Sequence, residues 1–533
     1  MITHSHTLYH KEAHPYEFLP YIAMIAAAIP LLLWRDFTPD NELRYLSIAD
    51  EALTNGSWFA FFNHGVPYAD KPPLYIWLVM AMRSMAGEHC MALLGLISLL
   101  PALICQAVMQ RWTAPYLRPA FRSTALWMMV STAWWFGLAV TLRMDMLMTL
   151  FIVLSLRSVY LIHTNAPSAR MQRWFVGLWT FLAIFSKGPL GILIPLVSTV
   201  FFLIAQGDIM RIGKSWGWRT WLVLVLLCAG WFFGVYADGG RPYLDNLLFH
   251  QTFDRAVNAF HHKRPVWYYA ISIWYVAAPW SLMLVAAIFK GALRRGMREP
   301  IKKLFASVII VTFLMLSAIS SKIQVYLLPL LPFLVWLGAI TLQSCDSSRL
   351  LRWMLALPAL AYTAAPAALF IMRAKPGMEL LCANTVSIAA AVLCAGGIAA
   401  VVMLLIRRLR TAITIMSLAT LSAVFCASLA IATFNPYIAY GATARKASEL
   451  VAPGAKIYTW RMSRSENIDI YTGRSQHILP DSVPAAASAR FMPGDVLIEG
   501  SASTPLEYSL PIPATPAADT IASGKFKIIL FHK

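Results

Sequence analysis

Charged side chains are scarce in this 533-residue chain: Asp, Glu, Lys and Arg make up 13% of it, whereas soluble domains contain about 25%. Hydrophobic residues make up 59%, which excludes an ordinary soluble globular protein. Cysteine is scarce too. The seven cysteines show no CxxC or His/Cys spacing, so we interpret them as packing residues rather than a disulfide framework or a metal site.

Long apolar runs, by contrast, recur through the first four-fifths of the chain. Most are long enough to cross a hydrocarbon core of ~30 Å, although the fifth and ninth are short. They are too long for barrel strands, so we predict membrane-spanning helices. The thirteen predicted spans are roughly 18–34, 91–109, 123–142, 144–162, 172–186, 188–206, 220–236, 268–289, 304–320, 324–341, 351–373, 384–406 and 412–433.

The net charge of +19 follows the predicted topology. Lys and Arg concentrate in alternate short loops, such as the loop with Arg111, Arg118 and Arg122, and this positive-inside pattern places those loops in the cytoplasm. The charge therefore does not indicate a nucleic-acid partner. The loop after the first span and the last hundred residues are predicted to lie on the opposite, periplasmic face.

This pattern predicts a mainly α, polytopic membrane protein with a small C-terminal α/β domain. KIYTW, DVLIEG and KFKIILFHK have the composition of short strands in that domain. The predicted parts are a cytoplasmic tail (1–17), a transmembrane domain (18–433) with periplasmic loops at 35–90 and 237–267, and a periplasmic α/β domain (434–533).

The first periplasmic loop is too long for a simple connector. In LRYLSIADEAL, the residues Leu43, Leu46, Ile48, Ala52 and Leu53 fall on one apolar helical face, which predicts an interfacial helix. PPLYIWLVMAMRSM predicts a second amphipathic helix, lying on the membrane or dipping into it.

Ionisable side chains gather wherever the chain reaches the periplasmic face. The loops concerned contribute Glu42 and Asp70; Arg143 and Asp145; Lys187; His250, Arg255, His261, His262, Lys263 and Arg264; and Lys322 with Tyr326. Charges near membrane depth are costly and usually face a cavity or a partner, although Lys and Arg stems at an interface also snorkel to water. Because several loops contribute to one face, we favour a site there.

Several cations with few carboxylates suit a phosphate-bearing lipid substrate. Neither nucleotide sugars nor ATP are present outside a bacterial inner membrane, so transfer there needs a lipid-carried activated group. A polyprenyl phosphate sugar fits, because Lys and Arg would stabilise the charge that develops on its phosphate leaving group.

The chain resembles the bacterial lipid-linked-sugar glycosyltransferases of the GT-C fold, in the branch with the lipid A aminoarabinose transferases and related to the protein O-mannosyltransferases. The resemblance covers roughly 36–335 and rests on NELRY, VPYADKPPLYIW, LRMDMLMT, SKGPLG, the His- and Arg-containing run before WYY, and SSKIQVYLLPLLP. It implies thirteen spans, a C-terminal α/β domain, and an inverting transferase acting at the periplasmic side of the inner membrane.

The family's acidic pair after the first span falls on Asn41 and Glu42, its acidic-Lys-Pro-Pro motif on Asp70 and Lys71, and its second-loop carboxylate on Asp145. Asn41 departs from the usual Asp. Either Asp40 substitutes, or the acceptor is an ionised phosphate that needs no base. Asn41 also suits a helix N-cap, and both roles are compatible.

The resemblance and the clustering together give candidate roles. The expected catalytic residues are Asn41, Glu42, Asp145 and Asp40; the donor-phosphate contacts are Lys71, Arg44, Lys187, Arg255 and Lys322; and the other substrate contacts are Asp70, Tyr68, Tyr326, Arg143 and Arg264. A divalent metal, Zn²⁺ or Mn²⁺, has candidate ligands in Asp70, His250 and His261, although these histidines also suit ion pairs or packing among aromatics.

Three functions follow from these features. The first is sugar transfer from polyprenyl (undecaprenyl) phosphate to lipid A or another envelope glycolipid. The second is protein O-glycosylation with the same donor class. The third is a lipid-sugar flippase without transfer chemistry, which should carry polar residues deep within its spans.

Overall fold

The computed structural model describes residues 16–248, 264–375, 378–480, 490–500, 518–523 and 525–532. Helices dominate the chain up to residue 450. The first ten are α1 (Leu19–Trp34), α2 (Arg44–Asn55), α3 (Leu74–Ala86), α4 (Met91–Thr113), α5 (Pro119–Val130), α6 (Ala133–Ala139), α7 (Asp145–His163), α8 (Ala169–Lys187), α9 (Leu190–Gln206) and α10 (Trp218–Asp245).

The remaining helices complete the bundle and lead into the C-terminal domain. They are Tyr268–Val276, Ser281–Arg295, Pro300–Ala318, Leu331–Leu342, Arg349–Thr363, Ala365–Arg373, Asn384–Leu405, Leu409–Ser428, Ile431–Ile438, Gly441–Leu450 and Asp469–Thr472. Short 3-10 turns cover Ala114–Tyr116, Ile209–Lys214, Gln324–Leu330, Glu379–Cys382 and Ser465–Ile468, and a π-helical turn covers Pro39–Leu43.

Every one of the thirteen predicted spans coincides with a helix or with two successive helices. Within the described residues, seven helices are long and apolar enough to cross a membrane, and ten spans result if each of three bent pairs counts as one. This identifies a multi-pass membrane protein, while the total of thirteen stays a prediction. The third predicted span is broken at Ser131 and Thr132, between α5 and α6.

The burial of the helices shows where the bundle core lies. The segment Gln324–Leu342 is 89% buried, whereas Asn384–Leu405 and the α10 segment are each 28% buried although they are as apolar. A helix that is hydrophobic on all sides is either central or faces lipid. The first segment is therefore central to the bundle, and the other two expose apolar surface at its periphery.

Two predicted loop helices, α2 and α3, do form. Leu43, Leu46, Ile48 and Ala52 are buried as expected, but Leu53 is 37% exposed and lies off the apolar face. The buried residues share one hydrophobic core with α3 and with strands of the C-terminal domain. The apolar face of α2 is thus covered by protein.

The C-terminal domain contains a five-stranded mixed sheet. Its strands are β3 (Ile457–Trp460), β4 (His477–Ile478), β5 (Val496–Gly500), β6 (Ala518–Ser523) and β7 (Phe526–Phe531), in the order β4-β3-β5-β7-β6; β1 (Phe62–Asn63) and β2 (Val66–Pro67) form a separate hairpin. The pairs β3–β4 and β3–β5 are parallel, and β5–β7 and β6–β7 are antiparallel. All three strands predicted from sequence are present.

Candidate active site

A buried ion pair between Arg35 and Glu42 stabilises the start of the first loop. The Arg35 guanidinium donates to both oxygens of Glu42, at 2.7 and 2.9 Å, and the two side chains are 9% and 1% exposed. Glu42 also accepts from the backbone N–H groups of Thr38 (2.7 Å) and Leu142 (2.9 Å), and Arg35 donates to the carbonyl of Val140. The pair therefore fixes the π-helical turn against the segment that precedes α7.

A second buried carboxylate gathers two cations. Asp145 is 1% exposed at the first position of α7, where the helix N-terminus favours a negative charge. It accepts from Arg143 Nε at 3.0 Å and from the ammonium of Lys187. Lys187 is the last residue of α8, and its ammonium lies 4.7 Å from the centroid of the Tyr326 ring.

The turn after Lys187 depends on a glycine. Gly188 follows directly with a φ of 109°, a conformation that side-chain-bearing residues rarely adopt. The chain can thus leave α8 and enter α9 within two residues, which keeps Lys187 at the end of the bundle next to Asp145.

Arg44 is the first residue of α2, in the first loop, and lies with Arg143 and Asp145 within electrostatic range of Tyr45. Its Nη2 donates to Asn41 Oδ1 at 2.9 Å, and its guanidinium lies 5.0 Å from the centroid of the Tyr68 ring. The Nε of Arg44 is buried without a hydrogen-bond partner among the described residues.

Asn41 lies inside the π-helical turn, and α2 starts at Arg44 with no side-chain cap, so the N-cap interpretation of Asn41 is wrong. Asp40 is exposed.

Arg143 links the two groups of residues. It is close enough to interact electrostatically with Asp145, Tyr45 and Tyr326, while Tyr75 lies within electrostatic range of both Glu42 and Asp145. The loop between the third and fourth spans, the end of α8, the first loop and the Tyr326 segment therefore meet at one end of the bundle, as the sequence predicted.

The Asp70–Lys71 turn enters α3 next to this region. Pro72 and Pro73 follow it and are buried, whereas Asp70 and Lys71 are half-buried. Tyr243 of α10 holds the preceding segment, because its hydroxyl donates to the Tyr68 carbonyl at 2.8 Å and accepts from the Phe61 N–H at 3.0 Å.

Lys322 is buried, at 3% exposure, close to the same end. Its ammonium donates to the backbone carbonyls of Arg264, at 3.2 Å, and Ile319. Arg264 itself is exposed. Among the described residues no carboxylate lies within ion-pair distance of Lys322, so its charge is not offset there.

Five of the ionisable residues predicted to lie at this face, His250, Arg255, His261, His262 and Lys263, lie outside the described residues. The described part of the chain contains no group of three or more His, Cys, Asp or Glu side chains that could hold a metal ion. The metal hypothesis, which joins Asp70 to two of those histidines, therefore stays a prediction.

The C-terminal domain tethers the first loop from the other side. Arg445 pairs with Asp36 at 3.1 Å, the Phe37 N–H donates to Tyr471 Oη at 3.2 Å, and Ser47 Oγ donates to Asp469 at 3.0 Å. Burial raises the pKa of Asp469 above its ordinary value, partly offset by the nearby His64.

The sequence analysis did not single out Arg35, and it assigned no role to Tyr45 or Tyr75, although these two lie within the motifs NELRY and VPYADKPPLYIW. An Arg directly after a membrane span usually indicates interfacial snorkelling, so Arg35 gave no distinctive signal. Its spacing of seven residues from Glu42 becomes meaningful only because the π-helical turn brings the two side chains together.

Comparison with known proteins supports the resemblance. No protein-family profile matches the chain. It is 24% identical over 320 residues to an undecaprenyl phosphate-alpha-4-amino-4-deoxy-L-arabinose arabinosyl transferase of Shewanella sediminis, covering 58% of the chain and 56% of that protein. It is 26% identical over 346 residues to one from Pseudomonas fluorescens, covering 61% and 57%. The chain thus aligns with little more than half the length of these curated relatives.

Solved structures extend the match to the whole fold. The crystal structure of ArnT from Cupriavidus metallidurans bound to undecaprenyl phosphate matches with a TM-score of 0.78 at 16% identity, covering 97% of this chain and 98% of that one. The apo structure of the same protein matches with a TM-score of 0.74 at 18% identity. The predicted resemblance is confirmed: the chain is similar in sequence to the aminoarabinose transferases and has their GT-C glycosyltransferase fold.

Proposed function

We propose that the chain is a glycosyltransferase of the bacterial inner membrane that moves 4-amino-4-deoxy-L-arabinose, or a similar sugar, from undecaprenyl phosphate to lipid A or another envelope glycolipid. The reaction takes place at the periplasmic face. The main support for this proposal is the convergence of Arg143 and Lys187 on Asp145. Arg44, Arg143 and Asp145 all lie within electrostatic range of Tyr45, so Arg44 belongs to the same region. The names of the curated relatives support the donor and the sugar.

The balance of charge at this end of the bundle favours a phosphate ligand. Arg35 offsets Glu42, and Asp145 offsets one of its two cations, which leaves one cation in surplus at Asp145. Arg44 adds a further charge, because Asn41 accepts its hydrogen bond without neutralising it. Unpaired positive charge in a partly buried site favours an anion that supplies several acceptor oxygens.

The same cations suit the chemistry of the transfer. An acceptor oxygen forms a bond to the anomeric carbon of the sugar while the bond from that carbon to the phosphate oxygen breaks. The electron pair of the broken bond leaves on the phosphate, whose negative charge increases. Lys187, Arg143 and Arg44 would stabilise this charge in the transition state, and Lys71 and Lys322 are further donor contacts.

Asn41 favours an acceptor that is already ionised. An amide is not a general base, and the only polar contact of its oxygen among the described residues is to Arg44. A phosphate of lipid A needs no deprotonation, whereas a Ser or sugar hydroxyl does. The Asn41 environment therefore supports a glycolipid acceptor more than a protein hydroxyl.

We assign Glu42 a positioning role. Each of its oxygens accepts two hydrogen bonds, so the carboxylate has no free lone-pair direction toward a substrate. It holds the turn with Asn41 and Arg44 against the segment with Arg143 and Asp145. Asp40, which is exposed on the same turn, is free to contact an acceptor.

The test is a reconstituted transfer reaction. Purified protein is mixed with undecaprenyl-phosphate aminoarabinose and lipid A, and both the modified lipid A and the released undecaprenyl phosphate are quantified. Equal amounts of the two products are expected. Lys187→Met should lower the rate about a hundredfold. Lys456→Met, at an exposed lysine of the C-terminal domain, is the matched control and should match the wild type.

Two results would overturn the proposal. Movement of the donor lipid across the bilayer without release of undecaprenyl phosphate would indicate a flippase. Sugar transfer to a peptide hydroxyl but not to lipid A would indicate a protein glycosyltransferase.

A further inference from the structure

A second group of cations lies at the opposite end of the bundle. α7 runs from Asp145 to His163 over 19 residues, so this group is about 28 Å from the proposed active site along the helix. It comprises Arg173 near the start of α8, Arg211 and Lys214 in the 3-10 turn before α10, and Arg219 at the start of α10, and we name it the His163-end cluster. The Lys and Arg distribution predicts that this end is cytoplasmic.

The side chains of this cluster lie close together. His163 Nε2 is 3.0 Å from Ser215 Oγ, and the His163 ring interacts electrostatically with Lys214, Arg211 and Arg173. Thr220 Oγ1 donates to the Arg173 carbonyl at 3.0 Å, which fixes the start of α10 against α8. The fold, and not chance proximity of long side chains, thus brings these cations together.

The positive charge of the cluster is largely uncompensated. Among the described residues, the cluster has one ion pair, between Arg211 and Asp208 at 3.1 Å. Both side chains are about half exposed. The Nε atoms of Arg173 and Arg219 are buried without a hydrogen-bond partner among the residues that the structure describes. Buried guanidinium donors without a partner are costly, and an anionic ligand would relieve that cost.

The aromatic surroundings indicate that the ligand belongs to the membrane. The Arg219 guanidinium lies 5.2 Å from the Trp218 ring centroid and 5.8 Å from that of Trp174. These two rings contact each other edge to face and are 66% and 40% exposed, and Trp221 next to them is 42% exposed. Exposed tryptophans beside cations are typical of the depth at which lipid headgroups lie.

We propose that the His163-end cluster binds the phosphate of an anionic phospholipid of the cytoplasmic leaflet. Arg173 and Arg219 donate to the phosphate oxygens, and Lys214 and Arg211 add attraction at longer range. Trp174 and Trp218 pack against the upper acyl chain and glycerol region. A zwitterionic phosphatidylcholine binds less well, because its choline cation is repelled by the same residues.

Native mass spectrometry of the detergent-purified full chain tests this proposal. Phosphatidylglycerol and phosphatidylcholine are titrated separately, and the fraction of protein that retains one lipid is measured. The wild type should retain phosphatidylglycerol preferentially. Arg173→Gln with Arg219→Gln should reduce the apparent affinity for phosphatidylglycerol by about fivefold per arginine, or roughly twenty-five-fold for the double variant.

The control is Arg170→Gln with Arg408→Gln, which removes the same charge from two exposed positions. This pair should change retention by less than about twofold if individual contacts, rather than net charge, hold the lipid. Equal loss in both double variants would overturn the proposal in favour of diffuse attraction. A wild type that retains both lipids equally would also overturn it, without any variant. Displacement of phosphatidylglycerol by millimolar inorganic phosphate would show that the site binds free phosphate instead of a lipid.

Discussion

Glu42→Gln tests the role assigned to the buried Arg35–Glu42 pair. Each oxygen of Glu42 accepts one hydrogen bond from Arg35 and one from a backbone N–H, so all four contacts are donated to it. A glutamine presents an NH2 group in place of one oxygen. Whichever way the amide is oriented, its NH2 group faces one Arg35 N–H and one backbone N–H, which are both donors. Arg35 also loses its counter-charge, although its side chain is only 9% exposed.

The expected cost is large. Removing one partner of a buried ion pair destabilises a protein by about 3–5 kcal/mol, because the remaining charge stays buried and unpaired. Each buried donor left without an acceptor adds about 1–3 kcal/mol, and relaxation of the turn recovers part of the total. We therefore expect a loss in the free energy of unfolding of about 3–5 kcal/mol, with Tm lowered by several degrees.

Thermal unfolding of the detergent-purified variant is followed by intrinsic fluorescence, in parallel with the transfer rate. Asp40→Asn, on the same turn but at an exposed side chain, is the matched control and should leave Tm unchanged. Glu42→Gln should lower both Tm and the transfer rate. If Glu42→Gln kept the wild-type Tm but lost the transfer activity, the positioning role would be refuted. That result would show that the Glu42 carboxylate acts on the substrate.

Three further predictions concern single residues. Lys187→Arg should retain part of the transfer rate that Lys187→Met loses, because arginine keeps the positive charge beside Asp145. Equal transfer rates for these two variants in the same assay would contradict a role for that charge. Lys71→Ala should abolish transfer while the protein still purifies as a folded species by size-exclusion chromatography, and near-normal turnover would remove Lys71 from the site. Burial raises the pKa of Asp469 in the native state. At pH values between the ordinary carboxyl pKa and this raised pKa, the native state therefore binds more protons than the unfolded state. The free energy of unfolding falls as the pH rises through this window. Asp469→Asn should flatten the fall in Tm measured across this window, and an unchanged profile would show that Asp469 is not its source.

Hydropathy and charge patterns predicted most of the fold. The thirteen apolar runs correspond to helices because backbone groups in lipid must be satisfied within the segment, so the pattern has few alternative structures. The strands β3, β5 and β7 were predicted because they are short apolar runs bounded by turns. β4 has two residues, and β6 reads ADTIAS, so neither has the apolar alternation that predicts a strand.

The site was predicted in part. Arg143, Asp145, Lys187 and Tyr326 come from three separate segments, and their convergence followed from placing all of those segments at one membrane face. Hydrogen-bond saturation of Glu42 was not predictable, because it depends on the π-helical turn and on the Leu142 N–H, which is 100 positions away in sequence. Sequence patterns show which side chains reach a face, whereas pairing within the site depends on tertiary geometry.

The most direct measurement is a cryo-electron microscopy structure of the chain with undecaprenyl phosphate bound. We expect the lipid phosphate to lie within hydrogen-bond distance, about 2.7–3.2 Å, of the nitrogens of at least two of Arg44, Arg143, Lys187 and Lys71. We also expect the Arg35–Glu42 pair to stay intact and to make no contact with the lipid. A phosphate bound elsewhere, with Arg143 and Lys187 still paired only with Asp145, would contradict the proposed role of this site in sugar transfer.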